Sequence, residues 1–248
     1  DRVVHAIPGD AAAIAARAIA LGCDVIHAHL LPQATVTGLA AHAVPLVVTV
    51  HNARAGWPRG LAEVEPDRRT LYVACSQHAA GDLRGAALPI VSRMVWNGIP
   101  TSRVAPSPSR DAAARALRAE LGLGDADGLI LTVANPRRQK RFDRIPGVLA
   151  RLLASAPPTS RTVWAILGET GGLLPDARAA AAELAAALAA QPPAVAAALV
   201  RLPPVDDVAP ALRAADVIVS VSDWEGLSLA HLEALAADRP LVATAAGG

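Results

Sequence analysis

The chain has 248 residues, a formal net charge of +1 and a hydrophobic fraction of 53%, yet only 2% of its side chains are aromatic. The near-neutral balance argues against a nucleic-acid binder, which would carry a basic stripe, and the shortage of rings argues against a stacking platform for single strands. Much of the hydrophobic fraction is alanine, and runs such as residues 179–190 favour helix without the sustained bulk of a membrane span. The length allows one large core or two modest ones. Cys23 and Cys75 are too few for a disulfide scaffold or a zinc site and are expected as unpaired thiols of a reducing compartment. The opening residues lack the pattern of a signal peptide, which gives the expectation of a cytoplasmic protein.

In chain order, residues 1–10 offer a short strand ending at Pro8 and Gly9, and residues 11–21 a helix closed by Gly22. In the next strand Val25, His27 and His29 alternate with Ile26, Ala28 and Leu30, so the two histidines share a face. With no third ligand nearby, that pair does not read as a metal site. A helix over 34–43 leads to a strand over 44–52 that ends in His51 and Asn52, and a loop rich in glycine and proline covers 53–67. A strand over 71–76 precedes a helix with Ser76 as N-cap, and a further strand spans 90–95.

Residues 102–110, with Pro106 and Pro108 and few large apolar groups, read as an interdomain linker. A helix over 111–121, capped by Asp111 and closed by Gly122, opens a second series. Its strands are expected at 128–136, 162–170 and 199–205, with helices at 144–154, at the alanine run and at 208–214. The acidic pair Asp206 and Asp207 reads as the cap of that last helix rather than as a metal site. Strands alternating with helices at this spacing predict doubly wound parallel sheets, repeated in two halves.

The chain closes on an apolar strand over 217–221, a turn with Asp223, Trp224, Glu225 and Gly226, and a helix marked by Leu229, Leu232, Leu235 and Ala236. In open α/β sheets ligands bind at this strand end. Gly226 lets the backbone come close to a ligand, the first amides of the helix suit an anion, and Glu233 can accept hydrogen bonds from sugar or ribose hydroxyls. The pattern suggests a phosphorylated, hydroxyl-rich ligand.

The run DWEGLSLAHLEALAADRPLVAT resembles the signature of the retaining glycosyltransferases of family 4, in which Glu-Gly-Leu-Pro-Leu is followed by a second Glu and then Ala-x-Ala-x-Gly-x-Pro. Here Ser228 stands for the proline and Asp238 for the glycine. DVIHAHL, VVTVHN, YVACSQ and VWNGIP look like landmarks of the N-terminal domain of that family, and VANPRRQKRFD is similar to its phosphate-binding loop, usually Val-Gly-Arg-Leu-x-x-x-Lys-Gly-x-Asp. The resemblance implies a GT-B fold, two Rossmann-like α/β domains facing across a cleft, both incomplete because the chain lacks the family's first strand and its C-terminal end. Residues 1–103 would be the acceptor-side domain, 104–110 the linker and 111–248 the domain that binds the nucleotide sugar.

Carried over residue by residue, Lys140 matches the lysine on the donor diphosphate and Asn135 falls where the family has arginine, a charge that Arg137 or Arg138 would supply instead. Gly168, Gly226, Leu227 and Ser228 complete the donor contacts, with Glu233 on the ribose. Glu225 and His51 are the residues implied near the transferred sugar. The implied activity is a metal-independent transfer of a hexose-like sugar, with retained configuration, from a nucleoside-diphosphate-sugar donor to a glycan, lipid or small-molecule alcohol. No cofactor is implied. Peripheral contact with the inner face of a membrane stays open, as do a sugar-nucleotide epimerase of the same fold and a non-catalytic sugar-nucleotide-binding module.

Overall fold

The structure, a computed structural model, describes residues 9–63, 69–88, 90–155, 159–168 and 174–247. The strand expected over residues 1–10 falls almost wholly outside these, as do Glu169 and Thr170. The chain divides into two compact units, the first comprising Asp1–Asn97, Trp224–Leu227 and Gly247–Gly248, the second Gly98–Asp223 and Ser228–Ala246. Both are α/β units built on parallel sheets.

In the first unit, α1 (Ala11–Ala20), β1 (Ile26–His29), α2 (Gln33–Ala40), β2 (Leu46–Val50), β3 (Thr70–Ala74), α3 (Gln77–Gly85) and β4 (Val91–Met94) follow one another, and the strands pair in the order β1-β2-β3-β4. All three pairings are parallel. Helix α1 starts where the Asp10 carboxylate accepts the Ala13 amide at 2.9 Å and stops at Gly22, whose φ of 64° is left-handed. Ser76 caps α3 as expected, accepting the Ala79 amide at 3.1 Å. Val36, Leu39, Leu46, Leu61 and Tyr72 form the core, while His27 and His29 lie on the exposed face of β1, either side of the buried Ala28. Within the loop, Arg54–Gly56 and Leu61–Glu63 form short 3₁₀ turns. Cys23 is exposed and Cys75 buried, and neither is in a disulfide.

The second unit runs α4 (Pro108–Glu120), β5 (Gly128–Val133), α5 (Ile145–Ser155), β6 (Thr162–Leu167), α6 (Pro175–Ala189), α7 (Pro193–Ala198), β7 (Leu199–Leu202), α8 (Ala209–Ala214), β8 (Val217–Ser220), α9 (Leu229–Ala236) and β9 (Leu241–Ala243). Its strand order is β7-β6-β5-β8-β9, all parallel, so the winding reverses between β5 and β8. Leu129 and Leu131 of β5 face one core with Leu212 of α8 and Ile218. Ile130 faces the other with Trp164, Ile145, Leu149 and Leu184.

Three elements differ from expectation. Helix α4 begins at Pro108, with Ser107 accepting the Arg110 amide at 3.2 Å, and not at Asp111. Asp111 is instead in the first turn and pairs with Arg213 of α8. Helix α7 and strand β9 had no sequence expectation of their own. Proline at the head of α7 starts a short helix, because a missing N–H costs nothing in the first turn.

The ladder between β5 and β6 runs to Val133↔Leu167, whereas that between β5 and β8 holds only Ile130↔Val217 and Leu131↔Ile218. Toward their carboxyl ends β5 and β8 therefore part. A side chain spans the gap: the Thr132 hydroxyl donates to the Val219 carbonyl at 2.8 Å and accepts the Trp164 Nε1 hydrogen at 3.0 Å. Among the described residues no helix is long and apolar enough to cross a membrane.

Candidate functional site

Where β5 and β8 separate, two crevices open in the second unit and meet at Val133 and Ala134. One is a slot of about 10 Å³, room for a single water, lined by Lys140, Phe142, Ser222, Ser228 and His231 among others. The other has a volume of about 350 Å³ and is lined by Arg103, Asn135, Gly168, Asp206 and Glu233 among others. Lys140 and Glu233 thus stand in adjoining crevices that share the end of β5, not in one common pocket. Burial raises the pKa of Glu233, and the positive charge of Arg103 opposes that rise.

Gly168 belongs to this edge through its backbone. A β-carbon there would lie 2.3 Å from the Ala134 carbonyl oxygen, so glycine is required by the close approach of β6's end to β5's. Ser228 is buried and precedes α9 without capping it by its side chain, so the hydroxyl does not consume the first amides of the helix. Arg138 lines neither crevice; its guanidinium pairs with Glu183 of α6 at 2.8 Å.

Lys140 ends a 3₁₀ turn, Arg138–Lys140, and the next residue, Arg141, is left-handed with φ 48° and ψ 45°. Arg141 occupies the position of the glycine that follows the lysine in the loop motif. Asp238, which stands where the motif of the last helix has glycine, is left-handed too, with φ 55°. Two substituted positions thus retain the backbone that glycine serves, at roughly 1–2 kcal/mol of strain each. At Arg141 ion pairs offset it: Nε and Nη2 donate to the two Asp143 oxygens, both at 2.9 Å, and Nη1 donates to Asp223 at 2.9 Å. Asp223 also accepts from Arg144, and its amide donates to the Gln139 carbonyl at 2.8 Å. Hydrogen bonds from Arg141 are the leading cause that holds both Asp143 and Asp223 below the usual carboxylate range.

His51, Glu225, Gly226 and Leu227 belong to the first unit. A β-carbon at Gly226 would fall 1.8 Å from the His51 carbonyl oxygen, so the close approach this glycine permits is to the backbone of His51. Trp224 lies against Gly56, Glu225 is buried at 7% exposure and bridges to Gly247, and Leu227 packs on the core of the unit. The Leu227 carbonyl accepts from the Asn97 side chain at 3.4 Å. His51 lines a largely apolar cavity of about 180 Å³ with Leu30, Gln33, Val48, Asn52 and Leu61.

Three imidazoles gather beside that cavity. His29 Nδ1 and His51 Nε2 are 2.8 Å apart, and His27 Nε2 is 2.8 Å from the Thr49 hydroxyl. Only one hydrogen fits between the first two nitrogens, so one ring donates and the other accepts. Desolvation by burial, then the charge of neighbouring imidazoles, lowers the pKa of both His29 and His51. No cluster suited to a metal ion occurs among the described residues.

The structure therefore gathers Lys140 with Ser228, Asn135 with Gly168 and Glu233, and His51 with Gly226. Arg103 and Asp223 were not singled out as site residues from sequence. Arg103 sits in the stretch read as a linker, and nothing in its spacing marks it. Asp223 stands two residues before Glu225 in the motif turn, and its acidic side chain opposite a basic loop was the available signal.

Residues 129–248 match the sequence family described as glycosyl transferases group 1. The D-inositol 3-phosphate glycosyltransferase of Salinispora arenicola (strain CNS-205) is 30% identical over an alignment that covers 91% of this chain and 54% of that protein. Among solved structures, Anabaena Alr3699/HepE in complex with UDP and glucose superposes with a TM-score of 0.73 at 20% identity, over 95% of this chain and 63% of that one. Sucrose-phosphate synthase from Thermosynechococcus elongatus does so with a TM-score of 0.74 at 18% identity, over 96% and 60%. These likenesses establish the fold. The chain spans about half the length of the curated relative and under two thirds of the two solved structures.

Proposed function

We propose that this chain acts as a retaining glycosyltransferase of family 4, taking a hexose-like sugar from a nucleoside-diphosphate donor to an acceptor hydroxyl of a glycan, lipid or small alcohol. Residues 111–248 bind the donor, residues 1–103 serve the acceptor and 104–110 link them. The observation that carries this reading is the junction of two crevices at Val133 and Ala134, with Lys140 and Ser228 on one side and Glu233 on the other. A cation beside the first amides of a helix suits a diphosphate, and a carboxylate beside the larger volume suits ribose hydroxyls.

In the reaction, the bond between the anomeric carbon and the diphosphate oxygen breaks. A bond from the acceptor oxygen to that carbon forms on the same face, and the acceptor proton passes to the departing phosphate. Negative charge gathers on the diphosphate as the bond breaks. Lys140 and the first amides of α9 stabilise that charge where it develops. Asn135 and Gly168 border the donor, and Arg138, held by Glu183, contributes at longer range. Glu225 and His51 receive the hydroxyls of the transferred sugar, with Gly226 and Leu227 presenting backbone amides.

Calorimetry with UDP and UDP-glucose tests the assignment. Lys140→Ala weakens UDP binding and Glu233→Gln weakens UDP and uridine alike, since the first loses a phosphate contact and the second a ribose contact. Wild-type affinity in both variants refutes the reading. Release of nucleoside diphosphate that requires an acceptor alcohol separates transfer from epimerisation, and binding without turnover identifies a non-catalytic module.

A further inference from the structure

We propose that Asp223 is a positioning residue: through Arg141 and Arg144 it holds the Lys140 turn against the end of β8 and so sets the contact of Lys140 with the donor diphosphate. This rests on the function proposed above. The turn that carries Lys140 is not one the chain adopts unaided, because the residue after it is a left-handed arginine. What keeps it is a closed cluster. Arg141 grips Asp143 within its own loop and Asp223 beyond β8, while Arg144 binds Asp223 and also donates to the Val221 carbonyl at 2.9 Å. Asp223 adds its amide, which donates to the Gln139 carbonyl, the residue immediately before Lys140. One aspartate thus fixes the turn on both sides of the lysine, by backbone before it and by carboxylate after it.

The cluster contributes geometry and no net charge. Two arginines and two aspartates sum to zero, so they attract an anion weakly on their own. Partial exposure of these side chains also limits what the ion pairs add to folding. Their effect falls on where the Lys140 ammonium stands. An ammonium displaced beyond hydrogen-bond reach loses its charge-assisted contact with a phosphate, whereas the nucleoside contacts of the other crevice are untouched.

The test is a comparison of UDP with UMP by calorimetry on the full chain. Asp223→Asn keeps the amide contact to Gln139 and weakens the two guanidinium contacts. It is expected to reduce UDP affinity about tenfold, to leave UMP affinity near the parent value, and to have no added effect in a Lys140→Ala background. Arg141→Gly removes the left-handed strain and the bonds of Arg141 to Asp143 and Asp223 while leaving Arg144 on Asp223, so a variant that folds at least as well must show a selective loss of UDP affinity in the same direction. Equal losses for UDP and UMP, or additive losses in the Lys140→Ala background, overturn the proposal. If Lys140→Ala weakens UDP binding and neither cluster variant does, the positioning role fails while the proposed function stands. If Lys140→Ala itself is silent, the positioning role falls, and Glu233→Gln decides whether the proposed function falls with it.

Discussion

Thr132→Val keeps the shape of a buried side chain and deletes the hydroxyl that bridges β5, β6 and β8. Thr132 is 4% exposed and the Trp164 ring beside it is wholly buried, so the indole N–H is shut off from bulk water. The Trp164 N–H is left without an acceptor, which costs about 1–3 kcal/mol, and the Val219 carbonyl loses a bond worth about 1 kcal/mol. Together these lower stability by about 2–4 kcal/mol, which for a unit of this size moves the melting temperature down by roughly 4–16 °C. Thermal unfolding followed by far-ultraviolet circular dichroism measures the shift. In a Trp164→Phe background no orphan donor is left, so the valine substitution must cost only about 1 kcal/mol, that of the Val219 bond. A melting temperature indistinguishable from the parent, or the full penalty persisting in the Trp164→Phe background, refutes the hydroxyl bridge.

Gly168→Ala drives a methyl against the Ala134 carbonyl and destabilises by about 1–3 kcal/mol, read as a lower urea midpoint at unchanged slope; UDP affinity falls with it because Ala134 borders both crevices. His29 and His51 both have lowered pKa values, so the unfolded chain binds more protons than the folded one. Stability is complete above about pH 6.5 and declines as pH falls below it through the lower folded values. Urea midpoints from pH 8 to pH 5 follow this decline, and His51→Gln flattens it. Removing the opposing charge with Arg103→Met raises the Glu233 pKa further, a change that carboxyl carbon NMR detects; an unmoved resonance shows that Arg103 does not reach Glu233.

The alternation of strands and helices was legible because parallel strands buried on both faces read as apolar runs, and because glycine or serine marks many helix ends. Ser76, Gly22 and Gly122 did what their residue types announce. Arg141 and Asp238 announced nothing of the kind, since an L side chain in a left-handed position gives no local signal and only the motif's glycines hinted at it. The cluster around Asp223 joins two loops far apart in sequence, and local periodicity carries no record of such pairing. Ser107 displaced Asp111 as a cap because proline at the head of a helix tolerates a missing N–H, which moves the start of α4 one turn earlier into the stretch that read as a linker. The motif turn was legible as chemistry, but not the use of Gly226, whose missing side chain admits the His51 carbonyl.

Alanine gives the second unit a mutational signature of its own. Ala114 of α4, Ala177 and Ala180 of α6, and Ala209, Ala211 and Ala214 of α8 are all buried, so these helix faces meet their neighbours with little side-chain volume of their own. Truncation has nothing to remove at these places. Enlargement does, because each added methylene must displace close-packed neighbours. A saturation scan of these helices would find the steepest losses at its smallest residues, inverting the pattern of cores built from leucine and phenylalanine.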